Sequence, residues 1–299
     1  MRFLIIFMFC ATVACWPPSA LADLPFSAAF YYAPNPPFKE LQAFDLVVVE
    51  PDAVGGDAAA YRSGHSELLA YISVGEVDPN RSYYRQLDPV WLIGDNPSWK
   101  SRVEDLANPD WRRFFLDQVM EPLWAAGYRG FFLDTLDSYQ LVPDKQRHPA
   151  LQAGLVEVIR SIKQRHPEAH LILNRGFEVL EQVKGDVFAV AAESLFQNFD
   201  PVTGSYGQVK EADRQWLLDR FAEVRRAGLP VIAIDYVAPK DRDLARNTAE
   251  KIKSLGFIPW VTDKDLASLG VGVVEVQPRM ILGLYDGSEG SDPVYTNLH

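Results

Sequence analysis

Six short apolar runs in this chain each end in a carboxylate, and this repetition restricts the possible fold more than any other feature. In the clearest run the apolar residues stop at Asp134, and Asp137 follows one short turn later. A buried strand that ends in an acid places an ionisable group at the rim of a sheet. The runs are VVVEPD (47–52), YISVGEVD (71–78), GFFLDTLDSY (130–139), VAAES (190–194), IAIDY (232–236) and WVTD (260–263). They predict one face of one sheet that is lined with carboxylates.

Strand-like and helix-like segments alternate along the chain. Apolar residues recur every three or four positions in segments 111–123, 151–162, 216–224 and 244–255, which predicts helices there. Asn108 followed by Pro109 is typical of a helix start. The predicted strands are short, continuous apolar runs, as expected for parallel strands buried on both faces: 28–32, 46–50, 68–74, 130–133, 170–174, 187–192, 231–235 and 257–261.

Three of these units share one local pattern, in which a helix ends at a glycine and a strand with a terminal acid follows. The glycines are Gly127, Gly228 and Gly256, and glycine permits the left-handed turn that closes a helix. Eight β/α units in about 250 residues favour an α/β fold of the (β/α)8 TIM barrel type, in a single domain. No Gly-x-Gly-x-x-Gly follows the first strand and no P-loop occurs, which disfavours an open nucleotide-binding sheet.

The first residues are typical of a secretory signal peptide. Arg2 precedes an apolar run to Cys15, and Ala20-Leu21-Ala22 resembles a cleavage site. We therefore expect a signal peptide over 1–22, cleavage after Ala22, and a periplasmic or secreted protein; lipidation at Cys15 is an alternative. The barrel domain is expected over 23–286, and 287–299 as a tail or linker. A further strand is predicted over 280–285, and no later segment is apolar enough to span a membrane.

Cysteine content and charge exclude several classes of function. Cys10 and Cys15 both lie in the expected leader, so a chain cleaved after Ala22 has no disulfide, catalytic thiol or cysteine-ligated zinc. The formal charge of −11 disfavours nucleic acid and anionic membranes as partners. It suits a neutral or cationic ligand, although acidity also keeps an exported protein soluble.

Barrel active sites lie at the carboxyl ends of the strands, and these ends are rich in acids and aromatic rings. Glycoside hydrolysis uses two carboxyl groups on either side of the scissile bond, and aromatic rings offer flat apolar faces to sugars. Metal hydrolysis and serine catalysis are disfavoured, because no His-x-His or Gly-x-Ser-x-Gly occurs; calcium or magnesium on the acids is an alternative. The candidate substrate-binding residues are Tyr32, Glu76, Asp78, Asp137, Tyr139, Asn174, Arg175, Asp235, Tyr236 and Trp260.

Four motifs carry a resemblance to a known family: YISVGE (71–76), FFLDTLDSY (131–139), LNRGFE (173–178) and AAESLF (191–196). The chain resembles glycoside hydrolase family 114-type barrels over 26–286, and more closely the exopolysaccharide hydrolases of family 166. The resemblance implies an endo-acting hydrolase of α-1,4-linked galactosamine and N-acetylgalactosamine polymers. It implies no metal and no organic cofactor. Proteins of an exopolysaccharide export system are possible partners.

The resemblance places the family's catalytic aspartate on Asp134 and its catalytic glutamate on Glu193. By analogy with related retaining α-glycosidases, Asp134 is expected to be the nucleophile and Glu193 the acid/base. A retaining pair stands about 5–5.5 Å apart and an inverting pair roughly 6.5–9.5 Å apart. Two alternatives stay open: a hydrolase of another α-galactoside or of an α-glucan, and a non-catalytic polysaccharide-binding component of an export system.

Overall fold

Eight parallel strands form the centre of the molecule. The computed structural model describes residues 24–54, 58–61 and 66–276. Over these residues there are thirteen strands, of which β1, β2, β3, β7, β8, β9, β12 and β13 form the central sheet. The strands are β1 (Ala28–Tyr31), β2 (Leu46–Val49), β3 (Glu67–Ser73), β4 (Glu76–Val77), β5 (Leu92–Asn96), β6 (Ser101–Glu104), β7 (Gly130–Asp134), β8 (His170–Asn174), β9 (Ala189–Glu193), β10 (Gln197–Asp200), β11 (Ser205–Gln208), β12 (Val231–Tyr236) and β13 (Ile258–Thr262). All eight predicted strands are confirmed, with ends that differ by at most two residues.

The large sheet has the strand order β1-β2-β3-β7-β8-β9-β12-β13. Its first and last strands are neighbours, and the Tyr32 amide just after β1 donates to the Leu266 carbonyl just after β13 at 2.8 Å. The sheet is therefore rolled into a (β/α)8 TIM barrel, as predicted. Because the strands are parallel, all their carboxyl ends lie on one face of the barrel.

Helices cover the outside of the barrel. They are α1 (Phe38–Leu41), α2 (Pro51–Val54), α3 (Pro109–Phe114), α4 (Glu121–Ala126), α5 (His148–Arg165), α6 (Leu180–Val183), α7 (Glu211–Arg226) and α8 (Arg242–Ser254). A π-helical stretch, Phe115–Met120, joins α3 to α4. Short 3₁₀ turns cover Ala58–Tyr61, Tyr84–Gln86, Pro89–Trp91, Ser138–Leu141 and Lys145–Arg147. The predicted helices are all present.

Local sequence signals account for where several helices begin and end. The Asn108 side chain accepts hydrogen bonds from the amides of Asp110 at 2.9 Å and Trp111 at 3.3 Å, which satisfies two free N–H groups at the start of α3. Gly127, Gly228 and Gly256 all have left-handed φ angles, of 115°, 81° and 76°. They end α4, α7 and α8 as the sequence pattern predicts.

Large apolar side chains fill the barrel beneath its carboxyl face. Phe30 and Phe132 are almost fully buried and meet edge-on, with ring centres 5.2 Å apart. The Tyr71 ring stacks above Phe132 at 6.3 Å and contacts the Tyr32 ring at 5.1 Å. The core therefore continues upward into a layer of tyrosines, which gives the polar residues at the strand ends a rigid apolar floor.

Two small antiparallel sheets extend the carboxyl face. The first follows β3 and has the order β4-β6-β5; the second, β10-β11, follows β9. Among the described residues, no helix is both long and apolar enough to cross a bilayer. The predicted signal peptide, Cys15, the run 280–285 and the tail 287–299 lie outside the described residues.

Candidate active site

One asparagine amide joins the two carboxylates that end β7 and β9. The Asn174 Nδ2 atom, at the end of the intervening strand β8, donates to Asp134 Oδ1 at 2.8 Å and to Glu193 Oε1 at 3.0 Å. The two N–H bonds of an amide diverge by about 120°, so acceptors along both of them lie about 5 Å apart. Three neighbouring strands thus bring Asp134 and Glu193 together although they are distant in sequence.

A tyrosine hydroxyl binds the second oxygen of each carboxylate. Tyr71 donates to Asp134 Oδ2 at 2.8 Å, and Tyr236 donates to Glu193 Oε2 at 2.7 Å. Burial and the nearby carboxylates raise the pKa of both phenols well above the usual value, so both remain protonated donors at neutral pH. Tyr32 completes this layer, and burial followed by the charges of its neighbours also raises its pKa.

The two carboxyl groups have different environments. Burial is the main cause that raises the pKa of Glu193 above the usual range for a glutamate, and the negative charge of Asp134 raises it further. Hydrogen bonds from Tyr236 and Asn174 and the positive charge of Arg175 oppose this shift without cancelling it. The site therefore favours a proton on Glu193 at a pH where an ordinary glutamate has lost it.

The backbone turns sharply after each of these three strands. Thr135, Arg175 and Ser194 directly follow Asp134, Asn174 and Glu193, and their φ angles are 61°, 60° and 67°. Non-glycine residues in this left-handed region cost about 1–3 kcal/mol each and are concentrated at functional sites. The Arg175 amide donates to the Ala191 carbonyl at 2.7 Å and the Ser194 amide to the Ile234 carbonyl at 2.8 Å, which holds two of the turns against the next strand.

Comparison with known proteins identifies the family of this barrel. A family model described as glycoside-hydrolase family GH114 matches residues 10–279. The chain belongs to glycoside hydrolase family 114. The resemblance to this family that the four motifs predict is therefore confirmed.

Two solved structures and one further sequence are similar to this family 114 chain. The glycoside hydrolase domain of PelA from Pseudomonas aeruginosa is 38% identical with a TM-score of 0.75, and the match covers 83% of this chain and 99% of that one. Aspergillus fumigatus Ega3 is 14% identical with a TM-score of 0.57, covering 85% and 96%, which is a likeness of fold. An uncharacterized protein of Deinococcus radiodurans is 26% identical over 238 residues, or 76% of this chain and 75% of that protein.

Five of the predicted substrate-binding residues of this family 114 barrel are buried: Glu76, Tyr139, Asp235, Tyr236 and Trp260. Asp235 is 0% exposed, and its oxygens accept the amides of Leu195 at 2.6 Å, Phe196 at 2.8 Å and Gln197 at 2.8 Å. Its carboxylate therefore holds the loop that leaves β9 and offers no surface to a sugar. Burial raises its pKa to about 6, although the three amides lower it. The interpretation of Asp235 as a substrate contact is corrected accordingly.

Glu76 and Trp260 need the same correction. Glu76 is 4% exposed, and its carboxylate accepts the side chains of Asn96, Ser101 and Ser138. Trp260 is 0% exposed and meets Phe44 edge-on at 5.3 Å. The sequence pattern places both residues near strand ends, but it does not say on which side of the strand or under which loop they lie.

The other predicted residues range from exposed to buried. Asp78 is exposed and accepts the Asn80 amide at 2.8 Å, as in a turn. Asp137 is exposed in the loop after β7, and Tyr139 is 7% exposed. Arg175 lies beside Glu193, with its guanidinium 5.8 Å from the centre of the Trp216 ring. The structure thus groups Tyr32, Asn174, Arg175 and Tyr236 with the carboxylate pair.

Tyr71, which is not among the candidates predicted from the sequence, donates directly to Asp134. The sequence feature that could have indicated Tyr71 is a tyrosine within a mostly apolar strand, because a buried hydroxyl needs a hydrogen-bond partner. Behind it, Arg81 forms a double hydrogen bond with Glu50 at 2.5 and 2.9 Å, and its guanidinium lies 5.8 Å from the Tyr71 ring centre. Over the described part of the chain, no three His, Cys, Asp or Glu side chains form a group suited to a metal ion.

Proposed function

We propose that this family 114 protein is an endo-acting hydrolase that cleaves α-1,4-linked galactosamine and N-acetylgalactosamine polysaccharide with retention of configuration. The observation that carries this proposal is the pair of carboxylates joined by Asn174. Ideal amide geometry places the two oxygens that Asn174 binds about 5 Å apart. That separation agrees with the roughly 5–5.5 Å of retaining glycosidases and is too short for a water molecule to attack from the opposite side.

Glu193 is proposed as the general acid and base. The raised pKa of Glu193 favours a proton that can be delivered to the glycosidic oxygen. The Tyr236 hydroxyl and the Asn174 amide fix the orientation of the carboxyl group. Asp134 is proposed as the nucleophile, held by Tyr71 and Asn174 on its two oxygens.

The reaction then has two steps. In the first, an Asp134 oxygen forms a bond to the anomeric carbon while the glycosidic C–O bond breaks, and Glu193 gives its proton to the departing oxygen. In the second, the Glu193 carboxylate takes a proton from water as that water attacks the anomeric carbon. Asp134 leaves as a carboxylate, and two inversions give net retention.

The proposed substrate rests on chemistry and on similarity. A partly deacetylated galactosamine polymer is cationic, and the chain has a formal charge of −11. The PelA hydrolase domain is the more similar solved structure, and Ega3 was crystallised with galactosamine. We further propose that the protein is exported to the periplasm or secreted, where such a polymer would be met, and that exopolysaccharide export proteins are possible partners.

The direct test is incubation of the purified protein with partly deacetylated α-1,4-galactosamine polymer. We expect new reducing ends, a spread of fragment lengths in early mass spectra, and the α anomer as the first product in proton NMR. Initial β anomer would overturn retention, and release of single sugars alone would overturn the endo mode. Cleavage of neutral α-galactosides or α-glucans only, or tight polymer binding without cleavage, would each replace the proposed function.

Variants test the two roles. Asp134→Asn and Glu193→Gln should lower turnover by roughly 10²–10⁴-fold while the fold remains intact. Glu168→Gln is a matched control, because Glu168 is exposed just before β8 at the opposite end of the barrel. Near-normal turnover in a folded Asp134 or Glu193 variant would remove that residue from the mechanism.

A further inference from the structure

Trp99 is a large aromatic side chain that the fold leaves in solvent. It is 76% exposed and lies in the turn between β5 and β6, at the tip of the small sheet that follows β3. An indole buries more apolar area than almost any other side chain, so a folded chain gains by covering it. An indole held in solvent offers a flat apolar face to a ligand.

The base of this turn is held by a buried acid. Asn96 and Ser101, which flank the turn, both donate to the Glu76 carboxylate, the asparagine at 3.0 Å. Ser138 donates to the same carboxylate from the loop after β7. Burying a carboxylate is costly unless donors replace its water. Three side-chain donors from separate segments meet that need, and they give the turn one position relative to the loop after β7.

The same small sheet is attached to the segment that carries Asp134. The Gly75 amide donates to Thr135 Oγ1 at 2.9 Å, and the Val74 amide donates to the Asp134 carbonyl at 3.0 Å. A Cβ atom on Gly75 would lie 2.2 Å from the Thr135 carbonyl oxygen, so the two backbones approach as closely as only glycine allows. Trp99 is thus presented from a rigid support on the same barrel face as the carboxylate pair.

We propose that Trp99 forms a stacking platform for a hexosamine ring of the polymer, in a subsite remote from the scissile bond. This inference rests on the proposed function. A pyranose ring has one face of C–H groups, which packs on an indole as another apolar ring does. Lys100, the next residue, is positively charged. The contact uses the C–H face of the ring, which galactosamine and N-acetylgalactosamine share, so the indole itself does not distinguish them.

The test separates binding at the platform from binding at the carboxylate pair. Polymer affinity is measured by affinity electrophoresis in the Glu193→Gln background, alone and combined with Trp99→Ala or Trp99→Phe. Turnover of a single-sugar aryl α-galactosaminide, which fills only the site at the carboxylates, is measured with Trp99→Ala alone. Val202→Ala is the matched control, because Val202 is 92% exposed at the tip of the other small sheet.

We expect Trp99→Ala to weaken polymer binding by about two- to tenfold, equally for acetylated and deacetylated polymer. Trp99→Phe should retain part of the affinity, and Val202→Ala and aryl galactosaminide turnover should be unchanged. Polymer binding unaffected by Trp99→Ala would overturn the platform and favour a protein partner at this tip. Trp99-dependent binding with no cleavage by the wild-type protein would refute the proposed hydrolysis and leave the platform standing.

Discussion

The hydroxyl of Tyr71 donates to Asp134 Oδ2 at 2.8 Å, and this one contact links the apolar interior of the barrel to the carboxylate pair. The Tyr71 ring stacks on Phe132 and contacts Tyr32, so the hydroxyl has little freedom to move. Asp134 is consequently oriented from below by a phenol and from the side by Asn174.

Removal of the Tyr71 hydroxyl should impair turnover without unfolding the protein. Tyr71→Phe keeps the ring and its packing but deletes a hydrogen bond to a charged group, which is worth about 1.5–3 kcal/mol. We expect kcat/KM to fall by roughly 10–100-fold. Tyr84→Phe is the control, since Tyr84 lies in the 3₁₀ turn Tyr84–Gln86 between β4 and β5. Equal activities of the two variants would contradict the proposed orientation of Asp134.

Removal of the Tyr236 hydroxyl should move the high-pH limb of the kcat/KM profile upward. The hydrogen bond from Tyr236 lowers the pKa of Glu193, which burial and Asp134 raise. Without it the pKa of Glu193 rises further, and the protonated acid persists to higher pH. The measurement is a pH–rate profile of Tyr236→Phe beside Tyr71→Phe, whose lost hydroxyl contacts Asp134. A limb that stays or moves down would argue against Glu193 as the acid.

Glycine at position 194 should relieve the left-handed backbone that follows Glu193. The φ angle of Ser194 is 67°, a conformation that costs a non-glycine residue about 1–2 kcal/mol. Part of this gain is lost, because glycine also makes the unfolded chain more flexible. We expect Ser194→Gly to be about 0.5–1 kcal/mol more stable than Ser194→Ala, measured by urea unfolding. Equal stability would show that this turn carries no strain.

The buried Glu104 should make stability fall as the pH rises. Glu104 is 2% exposed, and burial raises its pKa from 4.5 to about 8 despite the Trp111 hydrogen bond at 2.8 Å. A raised carboxyl pKa means that the folded state binds more protons than the unfolded state over this interval. The contribution of protonated Glu104 to the free energy of unfolding is therefore complete below about pH 4.5 and is lost as the pH approaches about 8.

Glu104→Gln should remove this dependence. Relative to the wild type, the variant should gain up to roughly 3–4 kcal/mol between pH 4.5 and pH 8. Unfolding free energies measured at several pH values across this interval check it. Parallel curves of unfolding free energy against pH for the two proteins would show that Glu104 titrates normally. Asp105→Asn is the control at the adjacent position, where the carboxylate pairs with Arg147 at 2.9 Å.

The fold and the carboxylate positions were predictable, because both depend on short-range patterns. Eight apolar runs and the helix-closing glycines are enough to predict the barrel. Parallel strands buried on both faces are continuous apolar runs, so they can be recognised without an alternating pattern. Acids directly after apolar runs are visible without coordinates. The roles of individual acids were less predictable: Asp235 and Asp134 both end a barrel strand, yet Asp235 is enclosed by three backbone amides.

The sequence by itself determined the barrel, the placement of Asp134, Asn174 and Glu193 at strand ends, and the family. Each of these follows from short patterns of neighbouring residues. Only the tertiary structure decided that one amide reaches both carboxylates and that Tyr71 and Tyr236 bind their outer oxygens. It also decided that Glu76 is buried beneath the turn that exposes Trp99. These relationships depend on barrel closure and on loop packing between distant segments, and no local pattern records which side of a strand end a loop will cover.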